Sequence, residues 1–147
     1  MPLKTILIHV ADDEHHVARR TLGVKLARAH NAHMRALFLT RPVSMPAGVT
    51  GRGASKLYLE EATARATTKA AELQAWFDER CDAASVSHDW IVEDGEHLDR
   101  LARHAHVADV VLVSQTAPHA LEDRVSLSLS ESITLAAGCP TICLPEG

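Results

Sequence analysis

The sequence predicts one α/β domain over residues 1–147: a doubly wound sheet of five parallel strands with helices on both faces. Three observations predict it. Short aliphatic runs alternate with stretches of helical spacing, in the order βαβαβαβαβ. One run, Asp109-Val-Val-Leu-Val113, is apolar after its first residue, as a strand covered on both faces must be. The composition fits a single aliphatic core: 147 residues, 46% hydrophobic and 3% aromatic, with 23 alanines.

Residues 4–10 read as a buried first strand ending in the turn Ala11-Asp12-Asp13. Residues 14–30 read as a helix with Ala18, Leu22, Leu26 and Ala29 on its apolar face and Arg19, Lys25 and Arg28 largely off it. Asp12 or Asp13 can cap its first turn, and Asn31 ends it. Residues 32–40 form the second strand. Residues 41–55, with Pro42, Pro46, Gly48, Gly51 and Gly53, form a loop. A long helix follows over 56–84, where Leu59, Ala62, Ala66, Ala70, Leu73 and Phe77 recur every three or four residues.

Residues 85–92 alternate like a strand, and Asp94-Gly95 turns into a helix over 97–105 with Leu98, Leu101, Ala102 and Ala105 on one side. The apolar strand 109–113 and a loop over 114–123 come next. Residues 125–137 fit two periods: Val125, Leu127 and Leu129 alternate, while Val125, Leu129, Ile133 and Ala136 suit a helix. The helix is chosen because a crossover must precede the last parallel strand, Thr141-Ile142-Cys143-Leu144. Gly138 ends that helix.

Charge narrows the function classes. Fifteen Lys and Arg against 19 Asp and Glu give a net charge of -4, which argues against a nucleic-acid binder. No run approaches the ~18 apolar residues of a membrane span, and the start lacks the pattern of a signal peptide. Three cysteines without metal-ligand spacing read as reduced thiols in a cytoplasmic protein. Ligands of such sheets sit beyond the carboxyl ends of the strands, where the strand order switches.

Four stretches carry a resemblance to the universal stress protein family, across essentially the whole chain. They are Lys4-Thr-Ile-Leu-Ile-His-Val10, Glu93-Asp94-Gly95 with Leu98, Leu101 and Ala102, Ala108-Asp109-Val-Val-Leu-Val113, and Gly138-Cys139-Pro140-Thr-Ile-Cys-Leu144. The resemblance to this UspA-like, adenine nucleotide alpha hydrolase-like domain implies strand order 3-2-1-4-5 and homodimers. It also implies one of two subclasses. One binds ATP through an Asp after the first strand and a G-x2-G-x9-G-S/T segment after the fourth; the other lacks that segment. Laid on the segment, this chain places Ser114, Ala117 and Leu127 at the glycine positions and keeps only the hydroxyl, as Ser128. Ala11 falls at the acidic position, one residue before Asp12. Glycine matters there because backbone N–H groups must approach phosphates without a Cβ in the way, and Pro118 removes one donor. No glycine lies between Gly95 and Gly138.

The resemblance therefore implies the subclass that does not grip ATP in the family manner, with no cofactor expected and no enzymatic chemistry. The expected role is in stress response or regulation, through protein contacts or a small ligand. Its pocket would be walled by Ala11, Asp12, Asp13, Leu39, Val113, Ser114, Gln115, Ala117, Leu127 and Ser128. The alternative is a switch that binds ATP or AMP through a divergent loop, with slow hydrolysis. A second anion loop, Gly51-Arg52-Gly53, precedes the long helix and matches no phosphate-binding fingerprint.

The ten histidines form no metal motif and read as solvated, with His30 and His104 near helix C-termini. Cys139 and Cys143, four apart along a strand and so about 13 Å apart, cannot form a disulfide and read as core, leaving Cys81 as the exposed thiol. Ser126, Ser128, Ser130 and Ser132 lack a triad partner at any recognisable spacing, and Ser128 can cap the fourth helix. Thr141, Ile142, Cys143 and Leu144, at an open sheet edge, are the expected homodimer contact. Other partners are a protein of unknown identity; neither nucleic acid nor membrane insertion is expected.

Overall fold

The computed structural model describes residues 1–10, 16–41, 48–115 and 128–145. Among them the elements follow the expected alternation: β1 (Thr5–Val10), α1 (His16–His30), β2 (His33–Leu39), α2 (Arg52–Ala83), β3 (His88–Glu93), α3 (His97–Ala105), β4 (Val110–Ser114), α4 (Leu129–Ala136) and β5 (Thr141–Leu144). The strands form one parallel sheet in the order β3-β2-β1-β4-β5. β1 lies at the centre, with Ile6 opposite Met34 on one side and Val110 on the other. The order reverses between β1 and β4, so a crevice opens beyond their carboxyl ends.

Alternation along the strands builds two cores. Ile6, Ile8, Met34, Phe38 and Leu112 face Ala27 of α1 and Ala70, Leu73 and Phe77 of α2. Leu7, Leu37, Leu39, Val111 and Val113 face Leu101 of α3 and Ile133 of α4. Both phenylalanines and both tryptophans gather in the first core. Phe77 packs 5.5 Å from Trp90, which stacks on Phe38 at 5.8 Å.

α1 turns a different face to the sheet from the one its apolar spacing predicts. Arg19, Arg20, Gly23 and Ala27 are buried, Ala18 and Ala29 are exposed, and Leu22 and Leu26 are half-buried. Close approach decides this: a Cβ on Gly23 would lie 2.7 Å from Met34 Cε and 3.1 Å from Ile8 Cγ2. The Arg20 guanidinium sits over the Trp76 ring, 3.8 Å from its centroid, and donates to the Leu73 carbonyl. The long helix also starts earlier than expected. Arg52–Ser55 belong to α2, not to a loop, because Gly51 at φ 87° and ψ 147° makes the turn into it. At the other end of the last crossover, α4 begins at Leu129, and residues 125–127 lie outside the described residues.

Three expectations about side chains are corrected. Cys81 is fully buried, because it continues the Ala70–Leu73–Phe77 stripe of α2. Burial, then Asp78 and Asp82, push its thiol up to about 12. Cys143, expected in the core, is exposed on the edge strand, and Cys139 is half-buried. Leu98 is exposed at 38%, and His97 takes the inward place beside it.

Candidate functional site

The carboxyl ends of the strands are furnished by the chain that leaves them. Ala11, Asp12, Asp13, Ala117 and Leu127 of the expected pocket lie outside the described residues. Leu39 and Val113 are sealed in the α3–α4 core, so they floor the crevice by packing and do not line it. Ser114 is buried with its hydroxyl unpartnered among the described residues, on the strand face opposite Val113. Gln115 is exposed and extends the ladder by donating its N–H to the Leu144 carbonyl at 2.7 Å.

Ser128 sits at the start of α4 and caps it, as its residue type allows. Its hydroxyl accepts from the Glu131 N–H at 3.4 Å, and its own N–H donates to Glu131 Oε2 at 2.8 Å. Its hydroxyl also lies 3.1 Å from that same oxygen. This reciprocal pair is a capping box, which satisfies two of the free N–H groups of the first turn. It also stations a carboxylate at the positive end of the helix dipole. Any phosphate arriving there meets a negative charge and fewer free donors.

α2 starts in the opposite manner. Among the described residues no side chain caps it; Gly51 supplies only the backbone turn. Beside it lies an open cavity of about 670 Å3, lined by Arg41, Gly51, Arg52, Ser55, Lys56, Leu59 and Glu60. Arg41, at the exit of β2, ion-pairs with Glu96 at 2.8 Å and Asp94 at 3.4 Å. Lys56 faces Glu60 at 3.8 Å. Gly51 and Arg52 thus come together with further cations, which the sequence did not reveal, while Gly53 lies within the first turn of α2.

The structure adds a pair of histidines that the sequence reading treated as solvated. His9, next to last in β1, is 2% exposed, and His97, the first residue of α3, is 6% exposed. His9 Nε2 lies 2.7 Å from His97 Nδ1, and His97 Nε2 donates to the Arg41 carbonyl at 2.6 Å. Burial, then the charges of His97 and Arg19, hold the His9 imidazole well below its ordinary range. Alternation hints at His9, since it shares a strand face with Leu7; nothing local marks His97.

At the opposite, amino end of the sheet, Ser87, His33 and Asp89 form a hydrogen-bonded line. The Ser87 hydroxyl lies 2.8 Å from His33 Nδ1, and His33 Nε2 lies 3.2 Å from Asp89 Oδ1. Arg35 also claims Asp89, at 3.1 Å, and Ser87 is exposed on the edge of the sheet. A shared carboxylate and an open surface make a solvated network, not the water-excluding pocket that acyl transfer needs. Among the described residues no three His, Cys, Asp or Glu side chains gather as a metal site. No described helix is long and apolar enough to cross a membrane.

No protein-family model and no curated protein matches the chain in sequence. Solved structures do match in shape. A universal stress protein in complex with cAMP superposes with a TM-score of 0.73 at 12% identity, covering 100% of both chains. The universal stress protein UspA from Lactobacillus plantarum gives 0.67 at 17%, covering 96% of this chain and 97% of its own. A universal stress protein family protein from Arabidopsis thaliana with AMP bound gives 0.63 at 13%, covering 98% and 92%. At these identities the likeness shows the fold: the five-stranded sheet in the order 3-2-1-4-5 is that of universal stress proteins.

Proposed function

We propose that this chain is a cytoplasmic, universal-stress-type regulatory domain that carries out no group-transfer chemistry. It acts through protein contacts or through a small ligand at the carboxyl ends of its strands, in the pocket of Ala11, Asp12, Asp13, Leu39, Val113, Ser114, Gln115, Ala117, Leu127 and Ser128, with Leu39 and Val113 as its floor. It does not grip a triphosphate in the manner the resemblance describes. The observation that carries this reading is the capping box on α4, where Glu131 already takes the Ser128 N–H. A triphosphate needs several free donors at such a helix start. The chain forms a homodimer through Thr141–Leu144, whose pairing with β4 alone among the described residues supports an open edge.

A second reading is a nucleotide switch that takes AMP or a similar monophosphate. It is favoured by the solved relatives with cAMP and AMP bound, because one phosphate asks for fewer donors than three. A single preparation separates the readings. Light scattering of the purified protein should give the mass of two chains, and mass spectrometry after denaturation should release no ATP. Submillimolar ATP with magnesium should leave the melting temperature unchanged. A rise of several degrees overturns the first reading, because a ligand of the native state must stabilise it. A rise with AMP alone selects the second.

A further inference from the structure

The ligand reading leaves two buried imidazoles without a task, and their proton positions follow from their partners. The Arg41 carbonyl can only accept, so His97 Nε2 carries a hydrogen. A neutral His97 then has its lone pair on Nδ1, and His9 Nε2–H must donate to it. In the neutral pair, therefore, both rings are protonated on Nε2. The chain of bonds runs from the central strand through α3 to the exit of β2, at a residue that lines the 670 Å3 cavity. Asp94 and Glu96, just before α3, hold the Arg41 side chain in the same place.

We propose that His9 and His97 form a proton-operated latch, which fixes Arg41 beside the carboxyl-end cavity while both rings are neutral and releases it when the pair takes up a proton. The proposal rests on the reading that this end of the sheet is where a ligand acts, and names a control over it. A proton on His97 Nδ1 would set two N–H groups against each other across 2.7 Å. A proton on His9 Nδ1 would leave that bond but add a buried cation whose field includes Arg19 of α1. Among the described residues, Arg41 at the exit of β2 and its partners Asp94 and Glu96 also lie at the junction, and the two acids are engaged with Arg41.

The sign is fixed by linkage. His9 in the closed pair takes a proton less readily than an exposed imidazole, so closure is at full strength above about pH 6.5 and weakens as the pH falls below it. For one proton taken up on opening, the open fraction rises about tenfold per pH unit. Amide exchange reads this without any ligand, so its failure is distinct from failure of the ligand reading. The Thr40 N–H donates to the Glu93 carbonyl beside the latch, and the Val111 N–H donates to the Pro140 carbonyl at the far end of the sheet. Between pH 6.5 and 5, after correction for intrinsic exchange, the opening constant at Thr40 should rise at least tenfold while that at Val111 stays constant. The rise should vanish in the His9→Gln/His97→Gln variant. Equal acceleration at Val111 means that acid acts on the whole fold and overturns the latch, as does a flat response at Thr40. Should the double variant not fold, long-range nitrogen spectra of the wild-type rings decide. Two neutral Nε2–H rings at pH 7.5 that resist protonation through pH 6 support the latch; an Nδ1–H ring or an ordinary imidazole midpoint overturns it.

Discussion

Of the helices that begin at the carboxyl edge of this sheet, two, α4 and α2, complete their first turns in opposite ways. α4 uses its own side chains: Ser128 and Glu131 exchange bonds with each other's backbone. α2, four times as long at 32 residues against 8, has no side-chain cap and enters through a glycine at φ 87°. The difference teaches that a helix start is a donor site only while its own chain leaves it open. α4 has spent two of its donors internally and added a negative charge. α2 has no side-chain cap among the described residues, and of the cations beside it Arg41 is matched by Asp94 and Glu96 and Lys56 by Glu60.

The largest effect expected from breaking this contrast is at Gly51. Its φ 87° and ψ 147° lie where only glycine is at ease, yet a Cβ there would touch nothing within 4 Å. Gly51→Ala should therefore cost about 1–3 kcal/mol through the backbone alone. Gly53 lies two residues on, inside α2, and its Cβ also meets open space. Gly53→Ala should instead stabilise by about 0.4–1 kcal/mol, by restricting the unfolded chain and favouring the helix. Urea unfolding of both variants measures the pair. Two losses of equal size would mean that α2 does not start where the turn at Gly51 places it.

Next in size is the capping box. Ser128→Ala and Glu131→Ala should each cost about 1 kcal/mol. Because the two residues complete one motif, the double variant should lose less than the sum. A double-mutant cycle by thermal or urea unfolding reads the coupling. Strict additivity would mean that the two bonds act separately and that α4 is capped by Ser128 alone.

The sheet and its order of elements were legible because burial on both faces forces apolar runs such as Val110–Val113, and a parallel partner forces a crossover between them. The strand order itself came from the family resemblance and is what the structure contains. The face of α1 was not legible. Periodicity weighs apolar side chains, whereas the closeness of α1 to β1 and β2 selected glycine and alanine, with Arg20 bent onto Trp76. Ser128 as a cap was visible from its type, but the consequence lay three residues on, in Glu131. His9 and His97 are 88 residues apart, and only the return of α3 beside β1 joins them. The cysteines were misread because distance from a helix end says little about which side of the helix faces inward: Cys81 is four residues after Phe77 and shares its stripe.

The smallest stability change, and the sharpest test of what the contrast means for a ligand, belongs to Glu131→Gln. A glutamine can still accept from the Ser128 N–H, so the capping box survives. What is lost is the attraction of a carboxylate to the helix dipole, about 0.3–1 kcal/mol. The same change removes a negative charge from the place where a phosphate would approach. Over roughly 5 Å, at an effective dielectric of about 40, that charge repels a monoanion by ~1–2 kcal/mol. Glu131→Gln should therefore bind AMP about five- to thirtyfold more tightly than the wild type in isothermal titration at low salt and about pH 5, where the phosphate is mostly a monoanion, with the gain shrinking as salt screens it. Identical AMP affinities would place any phosphate away from α4 and leave the α2 side, with Arg41, Arg52 and Lys56 around its cavity, as the end of the sheet where an anion is received.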